Sequence, residues 1–200
     1  MNPPEVKIMG LQRSGNNWLN SLLKKNYYVK LSDSVTSGWK HDRYDPDILG
    51  REINLIIICK HPLCWLPSIW RYRGERVEVD FDRYIQQTPG EVEWWDELYR
   101  HWLDVKLKTR RKFIVQYEFL LQYTESTCKL IATFFGLQRL DTSFYNPRCR
   151  MTTKNSEGDQ PFLPEYYQDQ TYLSEYGESA LHHVNSRIDW DVVRELGYLR

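Results

Sequence analysis

Two hundred residues suffice for one domain with a real core, and the formal charge cancels, with 27 basic against 27 acidic side chains and a pI near 7.0. No basic field is present to gather nucleic acid, so any anion site has to be local, and the longest uninterrupted apolar run, Leu55 to Cys59, is far too short to span a membrane. The opening MNPPEVK carries no apolar signal region and the 4 cysteines include no C-x-x-C pair, so the expectation is a soluble, cytoplasmic, metal-free protein of a reducing compartment.

The first predicted element is a strand over EVKIM, ending at a glycine turn. NNWLNSLLKKN then places Trp18, Leu19, Leu22 and Leu23 at helical spacing, with Ser14 or Asn16 near the N-cap. SDSVTSGWKHDRYDPD is polar, is broken by Gly38 and Pro46, and reads as a loop. INLIIICK is continuous and β-branched, as expected of a strand buried on both faces of a parallel sheet. A helix can open at Pro62, with Pro67 predicting a kink or a short first turn. From Gly90 a long amphipathic helix carries Trp95, Leu98, Trp102 and Val105 on one stripe. KFIVQY is a third strand, and TESTCKLIATFF is a helix opened by Thr124 or Ser126 and closed by Gly136. Residues 146–164 read as a long polar loop able to act as a flap over a cofactor or acceptor, and the remainder as mostly helical. Strands alternating with helices predict one α/β domain over residues 1–200, a three-layer P-loop-type fold with a short parallel sheet between helices.

The stretch GLQRSGNNWL, Gly10 to Leu19, has the G-x-x-x-x-G spacing of a phosphate-gripping loop, and it sits between a strand and a helix. Asn16 and Asn17 stand where that motif has the lysine that reaches phosphates and the hydroxyl that holds Mg²⁺. Ser14, Asn16 and Asn17 can add donors, and Arg13 adds a full charge. Such a loop still suits an anion but has lost its metal ligand. A sulfuryl group has one ionised oxygen fewer than a phosphoryl group, so it can be transferred without a divalent ion. The next apolar strand ends at Lys60, with Ser68 eight residues on, a cation and hydroxyl placed for a second phosphate where ligands of open α/β sheets gather.

At these residues the chain resembles the sulfotransferase family that uses 3′-phosphoadenosine-5′-phosphosulfate (PAPS). RSGNNWL, Arg13 to Leu19, is similar to that family's K/R-S-G-T-T-W-L loop, and Lys60 with Ser68 keeps the spacing of its Arg and Ser for the 3′-phosphate. VQYEFLL resembles V-x-Y-E-D-L with Tyr117 and Glu118 in place, Trp95 and Trp102 match a tryptophan pair seven apart, and DWDVVRELGY looks like a terminus of bacterial members. TKNSEGDQ keeps only Lys154, Gly158 and Asp159 of the family's C-terminal R-K-G-x-x-G-D-W loop.

The resemblance implies a PAPS-dependent sulfotransferase acting on a hydroxyl or amine of a small-molecule acceptor, with PAP as product. It implies that His41, in GWKHD, is the catalytic base and that Arg13 is the catalytic cation, with Lys40 helping or merely solvated. Arg13, Ser14, Gly15, Asn16, Asn17 and Trp18 would bind the donor's 5′ end and adenine. Lys60, Ser68, Tyr117 and Lys154 would complete the donor site, with Trp18 packing the first helix, Tyr117 capping the core and Lys154 solvated as the alternatives. Asn16 and Asn17 depart from the family's Thr pair, and Lys60 gives up the two-pronged grip of Arg. Two other readings stay open. One is a nucleotide or small-molecule kinase with an aberrant loop. The other is a non-catalytic descendant that binds PAP.

Overall fold

Strand β4 (Ile53–Cys59) explains the layering. Its side chains alternate, and both faces are buried: Leu55, Ile57 and Cys59 enter one apolar cluster, Ile56 and Ile58 the other. The computed structural model describes residues 2–32, 40–43, 53–74, 79–88, 90–104, 109–147, 149–151, 157–161 and 164–199. Among them, β1 (Glu5–Met9), β3 (Lys30–Leu31), β4 and β5 (Thr109–Gln116) form an all-parallel sheet in the order β3-β1-β4-β5. The fold is therefore α/β with a central parallel sheet flanked by helices, as the alternation predicts.

Helix α1 (Asn16–Asn26) covers one face with Trp18, Leu19, Leu22 and Leu23, and α6 (Thr124–Phe135) adds Cys128, Ile131 and Phe135 to the same cluster. On the other face lie α2 (Pro62–Gly74), α3 (Phe81–Gln87) and α4 (Gly90–Leu103). The chain's last helices, α8 (Glu178–Asn185) and α9 (Trp190–Glu195), pack against that cluster too. A short helix α5 (Tyr117–Gln122) follows β5 directly. Gly136 closes α6 in the left-handed region at φ 70°, as its position predicts.

Pro67 lies within α2 rather than at a break. A proline cannot donate to the carbonyl four residues back. That carbonyl, on Leu63, instead accepts a 2.7 Å hydrogen bond from the Tyr176 hydroxyl, so a distant side chain repairs the helix.

Three expectations change. The N-cap of α1 is Gly15, at φ 90° with no side-chain cap bond, and neither Ser14 nor Asn16 fills that role. A two-residue strand, β3, extends the sheet beyond the three strands expected. The polar stretch at 146–164 contains an antiparallel pair, β7 (Cys149–Met151) with β8 (Glu157–Pro161), because backbone pairing there overrides a composition poor in strand formers. Two further pieces, β2 (Tyr27–Tyr28) and β6 (Gln138–Arg139), pair with each other outside the main sheet. Helix α7 (Pro164–Gln168) and a 3-10 turn (Thr171–Glu175) lead to the terminal helices. Among the described residues no helix is long and apolar enough to cross a membrane.

Candidate functional site

The glycines fix the loop between β1 and α1 by close approach. A β-carbon on Gly10 would lie 2.4 Å from the Ile58 carbonyl oxygen. One on Gly15 would lie 2.5 Å from the Tyr117 ring, at a φ of 90° that L side chains rarely adopt. Gly15→Ala is expected to cost about 2–4 kcal/mol, left-handed strain plus overpacking, measured by urea unfolding against wild type.

The loop's carbonyls are tied inward. Asn16 Nδ2 donates to Gly10 O at 3.2 Å and Leu11 O at 2.9 Å, and Trp65 Nε1 donates to Gln12 O at 2.7 Å. The first turn of α1 has no side-chain cap, so its N–H groups are donors at a positive helix end. Arg13 and Gly15 both take left-handed backbone, at φ 68° and 90°, a feature of anion-binding backbone concavities.

Residues 40–43 dock on this loop. Gly10 N donates to Lys40 O at 3.1 Å, and His41 Nδ1 lies 2.5 Å from Gly10 O. A carbonyl only accepts, so Nδ1 carries the proton and Nε2 the lone pair of the neutral ring. Burial, with the charges of Lys40 and Lys7, outweighs the Gly10 bond and lowers the His41 pKa to about 4. Lys40 Nζ donates to Asn17 Oδ1 at 2.5 Å, and burial lowers its pKa as well. An ammonium at a helix N-terminus is electrostatically misplaced unless an anion joins it.

Lys60 leaves β4 at its carboxyl end and is 2% exposed. Its Nζ is 3.4 Å from Ser68 Oγ and lies over the rings of Tyr117 and Tyr167, at 4.2 and 4.7 Å from their centroids. Among the described residues neither Lys40 nor Lys60 has a carboxylate within salt-bridge distance. The peptide that follows Lys60 is anchored by Glu118, whose Oε1 accepts from His61 N at 3.0 Å and whose Oε2 accepts from the Tyr198 hydroxyl at 2.7 Å.

The sequence-derived set thus falls into two groups. Arg13, Gly15, Asn17, Lys40 and His41 gather at the loop, and Lys60, Ser68 and Tyr117 gather at the end of β4. Several side chains do not point as expected. Ser14 is fully buried, and its hydroxyl donates to Tyr99 OH at 3.2 Å, because that phenol already donates to Ile58 O at 3.0 Å. Asn16 staples the loop from inside rather than offering its amide to a ligand. The Arg13 guanidinium lies over the Tyr72 ring, 5.4 Å from its centroid. Trp18 is 4% exposed, packed edge-on to Tyr117 at 5.9 Å within the core. Lys154 lies outside the described residues.

Sequence reasoning missed Tyr99 and Tyr167. Tyr99 sits on α4 midway between Trp95 and Trp102, and the spacing of 95, 99 and 102 was the available signal. Those three rings reach three backbone carbonyls: Trp95 Nε1 to Lys60 O at 3.3 Å, Tyr99 to Ile58 O, and Trp102 Nε1 to Asp42 O at 3.1 Å. No local pattern marks Tyr167. A scan against protein-family models found no matching family, and a search of curated proteins found no matching sequence.

Two partly buried histidines make stability depend on pH. His61 is also lowered to about 4 by burial, whereas burial raises Asp96 to about 7, opposed by Arg100 and reinforced by Glu93. A lowered histidine gives stability that is complete above its unfolded pKa, about 6.5, and is lost as pH falls toward 4. A raised carboxyl has the opposite sign, because native Asp96 holds a proton that the unfolded chain has released. Two protons against one leave a net gain of at most about 1.4 kcal/mol per pH unit between pH 5 and 6.5. Asp96→Asn should steepen that rise toward about twofold in urea titrations across this range.

Proposed function

We propose that this chain transfers a sulfuryl group from PAPS to a hydroxyl or amine of a small molecule. The observation that carries the reading is the pair of cationic subsites at neighbouring strand ends, one at Lys40 and the uncapped start of α1, the other at Lys60 and Ser68, each without a carboxylate partner among the described residues. A donor with a 5′-phosphosulfate and a separate 3′-phosphate matches two such places. The Lys60 subsite is covered by Tyr167, so a 3′-phosphate reaches Nζ only once that ring moves aside.

The step is an in-line displacement at sulfur. The bond from sulfur to the bridging oxygen breaks, and its electron pair stays with PAP. A bond from sulfur to the acceptor oxygen or nitrogen forms, and the acceptor proton passes to His41 Nε2. Lys40 offsets charge growing on the bridging oxygen, and Arg13 joins it by swinging off Tyr72. His41 is neutral at pH 7 with the lone pair on the required nitrogen. Its lowered pKa places the acid limb of kcat/KM near pH 4 rather than 6.5.

Calorimetry with PAP, with and without Mg²⁺, and turnover of ³⁵S-labelled PAPS over a panel of phenols, alcohols and amines form the test. Saturable PAP binding independent of Mg²⁺, with label transfer to an acceptor, is the expected outcome. Tight ATP binding that requires Mg²⁺ would replace the reading with a kinase. PAP binding without transfer would leave a non-catalytic binder.

A further inference from the structure

A cleft of about 1040 Å³ opens beside Tyr167, bounded by α5, α7, the 3-10 turn and the last described residues. It lies at the upper end of the range that encloses a drug-sized ligand. It stands apart from the phosphate loop, with no residue of 10–18 or 40–43 in its wall.

The wall has two kinds of surface. Trp190, Tyr198, Tyr172 and Phe119 present aromatic faces or edges. Gln122, Gln168, Gln170 and Asn185 contribute side-chain amides, and none of the four makes a side-chain hydrogen bond among the described residues. Each amide offers two donors and an acceptor. Glu118 is the wall's only carboxylate among the described residues, and beyond its bonds from His61 N, the Tyr198 hydroxyl and the Cys64 thiol it keeps lone-pair capacity for a further O–H donor. His61, lowered to about 4 by burial, is neutral at pH 7, and among the described residues the wall holds no lysine or arginine.

This chemistry sorts ligand classes. Among the described residues anions find no cation there and one carboxylate opposing them. A purely apolar ligand would strand the amides. A neutral ring dense in hydroxyls, each both donor and acceptor, satisfies the amides and Glu118 while its C–H face lies against an aromatic ring. We propose that this cleft is a binding site for a neutral oligosaccharide, with Trp190 as the stacking platform and Gln122, Gln170 and Glu118 as hydroxyl partners. The volume selects a chain of two or more sugar rings over a monosaccharide. The proposal stands apart from the donor reading, since it uses neither Lys60 nor the loop.

The experiment is saturation-transfer NMR and calorimetry on the full chain with maltotriose, cellotriose and diacetylchitobiose, and with a trisaccharide ending in glucuronate as the anionic control. At least one neutral probe is expected to bind saturably, at least tenfold tighter than the anionic one. Trp190→Ala should weaken that binding at least tenfold. Since Trp190 also packs near His61, the double variant Gln122→Ala/Gln170→Ala, at exposed positions, supplies a second readout and should weaken it at least fivefold. Absence of saturable binding by all three neutral probes overturns the site, as does binding indifferent to the double variant or a preference for the anionic probe. Loss of PAP binding alone would bear on the donor reading and not on this one.

Discussion

His41→Ala is expected to lower turnover by about 10²–10⁴-fold, the usual worth of a positioned general base, while changing PAP affinity by less than about threefold. The reason is geometric. His41 is held by the Gly10 carbonyl through Nδ1, which fixes the tautomer and directs the basic nitrogen away from the loop backbone. Gly10 N also bonds Lys40 O, so the segment keeps a second attachment when the imidazole is gone. Single-turnover rates with saturating PAPS, alongside PAP calorimetry, separate the two effects. A near-normal single-turnover rate would reject the base assignment, and equal losses in rate and affinity would mean that the segment had come away from the loop. Activity rescued by added imidazole would place the defect at the proton.

Lys60→Met is expected to have two effects of opposite sign. Affinity for PAP should fall about 10–150-fold, the loss of a charge-assisted contact worth about 1.5–3 kcal/mol, while affinity for adenosine 5′-phosphate, which lacks the 3′-phosphate, stays within about twofold. Stability should hold or rise, because a nearly buried ammonium with one long hydroxyl contact is replaced by an apolar chain of similar length. The aromatic faces of Tyr117 and Tyr167 recover part of the ammonium's desolvation cost, so a gain is expected to be small. Equal losses for both nucleotides would remove Lys60 from 3′-phosphate recognition. A large drop in melting temperature would make it a structural lysine.

What could be read in advance follows the range of the forces involved. β1, the glycine loop, α1, β4 and α6 were legible because hydrophobic period, glycine position and β-branching are local signals. The left-handed closure at Gly136 belongs to the same class. The two-residue β3 was not legible, since two residues carry no period, and the pairing of 149–151 with 157–161 runs against its own composition. Ser14 and Asn16 were read as ligand donors from their place in a motif, but their partners lie on the packed side. One of those partners, Tyr99, is 85 residues away, a distance that no window on the sequence spans. Tyr167 covers Lys60 from a short helix with no buried residue, whose path depends on the packing of the chain's last third.

The three rings of α4 carry a metric consequence. Trp95 and Trp102 are seven residues apart, and an α-helix rises about 1.5 Å per residue, so their anchor points stand about 10 Å apart along one rigid rod. One anchor holds the peptide of Lys60 and the other that of Asp42, next to His41. The span between the Lys60 peptide and the peptide beside His41 is thus gauged by the pitch of α4. A single residue inserted between them would turn one indole by about 100° and release one of the two peptides, so a donor bound as proposed would meet its two subsites at a separation set by the helix.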